Sequence, residues 1–459
     1  MAMVARFFKY SVGVRMIVIA ILTLVMLIPV SFVEDLISER ESRRAEAFDE
    51  VSSKWGAAQT FIGPMLEIPY KTTVRQERQN EKGATVSYTE EITDYIRILP
   101  EKLTIHAEIT PETRYRGIYK AILYRSNIRC EASFATAGVQ ELGISAEKIL
   151  WAEAALSFGI SDLKGIKQAS PVRFAGSEYA LNPGLLSTQA LASGVTVRPN
   201  LENVERAECS MELDLNGSFS LNFAPVGRET EVFVKAPWRA PSFVGAYLPE
   251  SREVQEQEFS ARWKVLHLNR PYPQVWAGAA YTVQESVFGV KFLPDVDEYQ
   301  KTYRTAKYAV MFLSLTFLAF FVTEALNKRV IHPIQYVLIG FGLVIFYTLL
   351  LSFSEHISFN LAYGIAAAAI TGLITFYTRS VLGSVRATFV IFGILTILYG
   401  FLFIILQLQD YALLLGSIGL FVILAAVMYV TRNIDWFVIA ADGAPQNAAK
   451  ASNDNNDSP

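Results

Sequence analysis

Apolar runs divide the chain. About Val12–Phe32 is apolar, with MIVIAILTLVMLIPV at its centre. After a long, more polar stretch come five further runs: AKYAVMFLSLTFLAFFV (about Ala306–Val322), PIQYVLIGFGLVIFYTLLLSF (Pro333–Phe353), ISFNLAYGIAAAAITGLITFY (Ile357–Tyr377), ATFVIFGILTILYGFLFIIL (Ala387–Leu406) and ALLLGSIGLFVILAAVMYV (Ala412–Val430). Roughly 20 apolar residues, rising about 1.5 Å each, cross a hydrocarbon core of about 30 Å. Six membrane-spanning helices are therefore predicted. Arg6, Lys9 and Arg15 flank the start of the first, and no small-residue cleavage site follows it, so it reads as an uncleaved signal anchor.

Between the first and second runs the pattern changes twice. In EDLISERESRRAEAFDEVSSKWG, Phe48, Val51 and Trp55 recur at helical spacing and Gly56 ends the pattern, which predicts a charged helical stalk. Beyond FIGPMLEIPY the alternation is that of β-strands. Met211, Leu213 and Leu215, then Asn216-Gly217, then Phe219, Leu221 and Phe223 predict a hairpin with a tight Asn-Gly turn. GIYKAILYRSNIRCEASF and ETEVFVKAP also read as strands, and prolines at 111, 183, 225, 237 and 241 punctuate them. The fold class predicted is an α-helical polytopic membrane protein with six transmembrane helices. A large mainly-β, sandwich-like or barrel-like domain lies between helices one and two. The expected divisions are 1–33 (N-terminus and first span), 34–57 (stalk), 58–294 (β domain), 295–437 (spans two to six) and 438–459 (a disordered polar tail).

Charge sets the orientation. Lys328, Arg329, Arg379, Arg386 and Arg432 occupy alternate loops, whereas the short SEH and QLQD loops carry no Lys or Arg. Positive residues stay on the cytoplasmic side. Both termini are therefore expected there, with the β domain in the periplasm. Asp295 with Glu298 reads as a capping box before span two, and Tyr299, Tyr303 and Tyr308 as an interfacial aromatic belt. The 459 residues are 52% hydrophobic and carry a net charge of −3. Mean hydropathy is +0.28, which fits spans plus one water-facing domain, and no basic field points to nucleic acid.

Candidate chemistry is thin. His106 and His267 have no second ligand at metal spacing, and no nucleotide-loop, zinc-protease or nucleophile-elbow pattern occurs, so no cofactor, metal or catalytic role is predicted. Cys130 and Cys209 each share a strand face with apolar residues. They are read as either a disulfide or two buried free thiols. Ionisable residues within a bilayer are functional candidates by default. Here they sit at membrane edges: Glu324, His332, Glu355, His356 and Asp435. A continuous helix from Pro333 to Tyr377 would run about 65 Å, twice the bilayer. A turn at Ser354–His356 is therefore predicted, with water solvating Glu355 and His356. Thr316, Tyr347, Thr371 and Tyr399 are mid-span hydroxyls expected to bond locally. Gly364, Ala368 and Gly372 form a small-residue stripe expected to pack helix on helix, within the chain or against a second copy.

Taken together, DEYQKTYRTAKYAVMFLSLTFLAFFVTEAL, IHPIQYVLIGFGLVIFYTLLLSFSEHISF, LLLGSIGLFVILAAVMYVTRNIDW and the outer pieces GPMLEIP, LNGSFSLNFAPVGRETEV and PSFVGAYLP resemble the bacterial inner-membrane CreD family, up to about Phe437. The resemblance implies the inner membrane of a Gram-negative bacterium, a part in envelope integrity and a stress and carbon-source regulon. It carries over no catalytic or binding residue. The function expected is non-enzymatic: the outer domain binds an envelope component or protein partner, and the helices contact membrane lipids. The alternative is a permease for a lipid-like or hydrophobic substrate. A signal receptor would need a separate output partner.

Overall fold

The computed structural model describes residues 12–79, 85–201, 204–292, 298–327, 331–408 and 411–432. The chain divides into two compact units, Met1–Arg43 with Val296–Pro459, and Arg44–Asp295.

The first unit is helical. Its helices are α1 (Val12–Trp55, which continues into the second unit), α2 (Glu298–Lys307), α3 (Ala309–Asn327), α4 (Pro333–Ser354), α5 (Phe359–Leu382), α6 (Val385–Gln407) and α7 (Ala412–Thr431). Six of these, all but α2, are long and apolar enough to cross a membrane. The apolar runs anticipate the last five to within a turn or so of helix. The expected first span and stalk are one helix of 44 residues with Pro29 inside it. In the helical unit α1 buries Met26, Val30, Val33 and Ile37, one stripe at i, i+4, i+7 and i+11. Its other faces expose Ile17, Ile21, Leu24, Ile28 and Phe32. Exposed apolar side chains recur along α3 to α7, a surface suited to hydrocarbon rather than water.

Two expectations are corrected in this unit: the small-residue stripe does not pack against another helix of the same chain, and Tyr299 leaves the aromatic belt. Gly364, Ala368 and Gly372 all lie on the exposed face of α5, and a methyl group added at Gly364 or Gly372 would meet nothing within 4 Å. The buried face of α5 is instead Ala362, Tyr363, Ala366, Ile370 and Ile374, because the aromatic and branched residues bury more area than the glycines. Close helix approach occurs at Gly340 of α4, where an added Cβ would lie 2.8 Å from Met26 Sδ of α1. Tyr299 also leaves the expected aromatic belt: it is buried, with its hydroxyl on Glu355. The Asp295 half of the predicted capping box lies outside the described residues.

The second unit is β-rich, with two nine-stranded sheets. Its first four strands are β1 (Gln59–Gln79), β2 (Thr85–Ile98), β3 (Lys102–Arg116) and β4 (Tyr119–Ala135). β1 pairs antiparallel with β2 and with Ala155–Ile160, and parallel with Ser220–Phe223. β3 and β4 form a long hairpin in the other sheet, extended on one side by Arg206–Ser218 and on the other by Glu229–Ala236. Alternate residues of both sheets meet in a single apolar cluster, including Leu66, Ile96, Phe158 and Phe288 from one sheet and Ile105, Ile128, Leu213 and Trp263 from the other. One shared core is what half-buried strands with period-two patterning must produce.

The predicted Asn216-Gly217 hairpin is not formed. Both residues lie inside the strand Arg206–Ser218, and Ser220–Phe223 pairs in the other sheet. The left-handed residue is Phe219, at φ 57°, and the chain changes sheets there. Tertiary packing overrides the turn preference. A Cβ on Gly217 would lie 2.3 Å from Tyr124 Oη, and the Asn216 carbonyl accepts a bond from the buried Gln59 amide at 3.0 Å. Phe219 is held by Phe48 of α1, with ring centroids 4.3 Å apart, and Ser52 and Ser218 share a hydroxyl bond. A two-residue turn of the left-handed kind occurs at Ala175-Gly176, which joins Val172–Phe174 to Ser177–Tyr179.

Candidate functional site

The strongest polar constellations are built from side chains distant in sequence. In the helical unit, Arg15 near the start of α1 donates to Glu324 near the end of α3, at 3.0 Å. Tyr336, in the first turn of α4, donates to the other oxygen of Glu324, also at 3.0 Å. Glu324 is buried. A lone carboxylate among apolar helices would be costly, and here it has a cation and a phenol. Three helices are thereby tied at one point. Phe317 and Phe320 of α3 pack edge-on against Tyr336 and fix its ring.

A second constellation surrounds Glu355, in the turn that ends α4. Its side chain is only 10% exposed. Tyr299 of α2 donates to Oε1 at 3.2 Å, and Arg40 of α1 lies 3.9 Å from the same oxygen. The expectation that water solvates Glu355 is therefore corrected, because α1 and α2 both reach it. His356 is exposed, as expected, and its Nδ1 lies 3.1 Å from the Ser352 carbonyl, where it can only donate. His332 joins neither constellation. It caps α4: its Nδ1 accepts from Ile334 N, while Gln335 Oε1 accepts from His332 N. Asp435 lies outside the described residues.

The mid-span hydroxyls do not all bond locally. Tyr363 donates to the Tyr399 carbonyl at 2.7 Å. Among the described residues, however, the hydroxyls of Thr316, Tyr347 and Tyr399 are buried without a partner. Tyr399 is wedged between Phe312 and Phe346, with centroids at 4.7 and 4.8 Å, so aromatic packing directs its hydroxyl away from the helix carbonyls.

In the β unit, Glu67 and Arg97 face one another across β1 and β2 as direct register partners. Both are fully buried, with Arg97 Nε 3.4 Å from Glu67 Oε1. Ser157 donates to Glu67, and Arg97 donates to Gly278 O, Ser187 Oγ and Gln189 Oε1. Burial holds the Glu67 carboxyl above its ordinary value, against the opposing pull of Ser157 and Arg97. The pair joins adjacent strands and a surface segment, and the strand reading did not anticipate it. Glu67 in LEIP and Arg97 in YIRIL, each a charge set among strand residues, were the visible signal.

Cys130 and Cys209 are free and buried. They lie on neighbouring strands, Met211 opposite Cys130 and Cys209 opposite Ala132, so they are offset by two residues. Burial raises both thiols, Cys209 to about 12, which keeps them protonated and inert. His106 stacks on Phe233, and His267 opens a short 3-10 turn. Among the described residues no group of three or more His, Cys, Asp and Glu is placed to hold a metal ion. The described surface of this unit includes shallow pockets. One of about 360 Å³ is bounded by Ile166, Pro171, Leu181 and Val195, and one of about 300 Å³ lies beside Trp55.

Among solved structures, an M1 zinc metallopeptidase from Deinococcus radiodurans matches at 8% identity over 42% of each chain, with a TM-score of 0.19. A mutant of that enzyme gives a TM-score of 0.20 at the same identity and coverage. Scores so low carry no argument about fold or activity. Inner membrane protein CreD of Escherichia coli (strain K12) is 32% identical over 425 residues, which are 91% of this chain and 92% of that protein. The family model described as inner membrane protein CreD matches residues 11–437. With six apolar helices and a large mainly-β unit, the chain belongs to the CreD family of inner membrane proteins.

Proposed function

We propose that this protein is a non-enzymatic, multi-pass inner-membrane protein whose β unit lies in the periplasm and binds an envelope component or protein partner, and so contributes to envelope integrity. Both termini lie in the cytoplasm on this reading. The observation that carries it is how the charges among the helices are used. Arg15 is paired with Glu324, and Arg40 faces Glu355, so each acid ties α1 to the bundle. An anchor needs such ties, whereas ion-coupled transport needs an ionisable group that changes partners. Recognition then falls to the β unit, which has its own core and surface pockets such as the one beside Trp55.

Site-specific photocrosslinking in cells tests this, with the probe placed in turn on β-unit surface positions and on lipid-facing positions of α5 and α6. Discrete adducts from the β unit are expected. Adducts confined to the helices, or none above background, would overturn it. A second reading, a permease for a lipid-like or hydrophobic substrate, draws on the partnerless hydroxyls of Thr316, Tyr347 and Tyr399. Lipidomics of a deletion strain separates the two, since an unchanged envelope lipid profile counts against transport.

A further inference from the structure

The end of α1 carries a feature that neither the family nor the readings above assign. Trp55 closes the helix, and its indole N–H donates to the Tyr124 carbonyl at 3.2 Å, which fixes the ring. Three cations from three different strands surround that ring. The guanidinium carbons of Arg114 and Arg125 lie 4.9 and 5.4 Å from its centroid, and Lys167 Nζ lies at 5.8 Å. Lys54 and Arg116 complete the set, and both flank the pocket of about 300 Å³ that Trp55 and Tyr115 also line.

Five cations thus converge, with two carboxylates among them. Glu112 bridges Arg114 and Arg125 at 2.9 and 3.4 Å, and Glu50 bridges Lys54 and Arg116 at 2.8 and 2.9 Å. The local balance is +3, in a chain whose overall charge is −3. Like charges gathered on one indole repel one another, and two carboxylates leave that repulsion incompletely neutralised. Each bridging carboxylate also shows that neighbouring cations here are spaced to share one oxyanion. Arg114 and Arg125 each turn Nη2 to Glu112, and a guanidinium carries five N–H donors, so each has further donors of the kind that recognises phosphate. Lys167 has no ion pair among the described residues. Of the cations on the ring only Arg114 lines that pocket; Arg125 and Lys167 stand against the indole outside it.

We propose that the cations gathered around Trp55 bind a phosphate group, either free or carried by an envelope lipid or saccharide. Arg114 and Arg125 supply forked donors, and Lys167 supplies a point charge. The proposal rests on the β unit being a binding module and names the chemistry of what it binds. Phosphate is favoured over carboxylate because a dianion offsets more of the local +3 than a monoanion does.

The test is calorimetric titration of the full chain in neutral detergent with inorganic phosphate, glucose 1-phosphate and dihexanoyl phosphatidic acid. Glucuronate serves as the carboxylate control. At least one phosphate probe is expected to bind, more weakly as salt is raised. Lys167→Gln should weaken it about fivefold, and Arg114→Gln/Arg125→Gln more than tenfold, the loss of two charge-assisted contacts. Inorganic phosphate binding as tightly as the esters identifies free phosphate as the ligand, whereas a tighter ester identifies its carrier.

No binding by any phosphate probe, glucuronate binding equally well, or unchanged affinity in both variants would overturn the site. Lys167→Gln removes no ion pair, so it decides the matter even if the arginine double variant fails to fold. Photocrosslinks that persist in Lys167→Gln alongside negative titrations would sink this site and leave the binding-module reading intact. Loss of all β-unit crosslinks in the wild type would sink that reading by itself.

Discussion

Replacing Arg97 by Met should destabilise the β unit strongly, and in a pH-dependent way. Arg97 is fully buried and makes three hydrogen bonds, to Gly278, Ser187 and Gln189, besides facing Glu67. Met fills much of the same volume but answers none of these groups. Breaking a buried pair from one side costs about 3–5 kcal/mol, since the remaining charge is left without compensation. The sign of the pH effect follows from Glu67. Its carboxyl already stands above the ordinary value, with burial as the largest cause, and losing Arg97 raises it further. A group raised on folding contributes fully below its unfolded value, about 4.3, and that contribution is lost as pH rises through the folded value. The deficit of Arg97→Met should therefore be larger at pH 8 than at pH 5. Urea unfolding followed by tryptophan fluorescence reports this unit, which holds Trp55, Trp151, Trp238, Trp263 and Trp276, five of the six tryptophans. Glu67→Leu combined with Arg97→Met should recover part of the loss by removing the stranded carboxylate. A loss below about 1 kcal/mol, or equal losses at the two pH values, would refute the reasoning, because a buried charge left alone cannot be that cheap.

Gly217→Ala should cost about 1–3 kcal/mol by overpacking, because its Cβ would drive Tyr124 Oη off the Ser220 carbonyl; the same urea titration reads it. Arg15→Met should cost toward the lower end of about 3–5 kcal/mol, since Arg15 keeps some exposure, and should lower the thermal midpoint in detergent; Glu324→Gln should cost less, as Tyr336 retains a partner. Tyr399→Phe should be neutral or stabilising, by up to about 1 kcal/mol, because its buried hydroxyl has no partner. Tyr363→Phe should instead lose about 0.6 kcal/mol with its bond to the Tyr399 carbonyl, and the two thermal midpoints side by side test the contrast. His356→Ala should change stability by less than about 0.5 kcal/mol, whereas Glu355→Gln should lower the midpoint measurably by removing the charge that Arg40 and Tyr299 face.

The helices were legible in the sequence because a lipid environment requires long apolar runs, and Pro333, Ser384 and Gly383 mark the ends of α4, α6 and α5 where helix-capping chemistry places them. The long strands β4 and Glu229–Ala236 were legible because one face of each is buried and the other is not. Asn216-Gly217 misled because a local turn preference of this kind is worth little against Tyr124, Gln59 and Phe48 converging on one corner. The small-residue stripe does not pack within the chain for a related reason: spacing shows that three residues share a helix face, and only packing shows which face is inside. Glu324 and Glu355 stood out in the sequence as ionisable groups near the ends of apolar runs. Their partners were not legible, since Arg15 is 309 residues from Glu324 and Tyr299 is 56 from Glu355.

Those two acids have a common logic once α1 is considered as a rod. Arg15 and Arg40 are both on it, about 37 Å apart at the helical rise of about 1.5 Å per residue. That separation slightly exceeds a hydrocarbon core of about 30 Å. Between them lies the buried stripe of Met26, Val30, Val33 and Ile37, with Gly340 admitting Met26 at close range. Apolar packing alone would hold α1 against its neighbours yet leave it free to slide, because one methylene contact replaces another at little cost and lipid competes for the same surface. A charged group at each end removes that freedom. Moving α1 by one helical turn, about 5.4 Å, would separate both Arg15 from Glu324 and Arg40 from Glu355. The two ties therefore set the axial register of α1 within the helical unit as well as its partners.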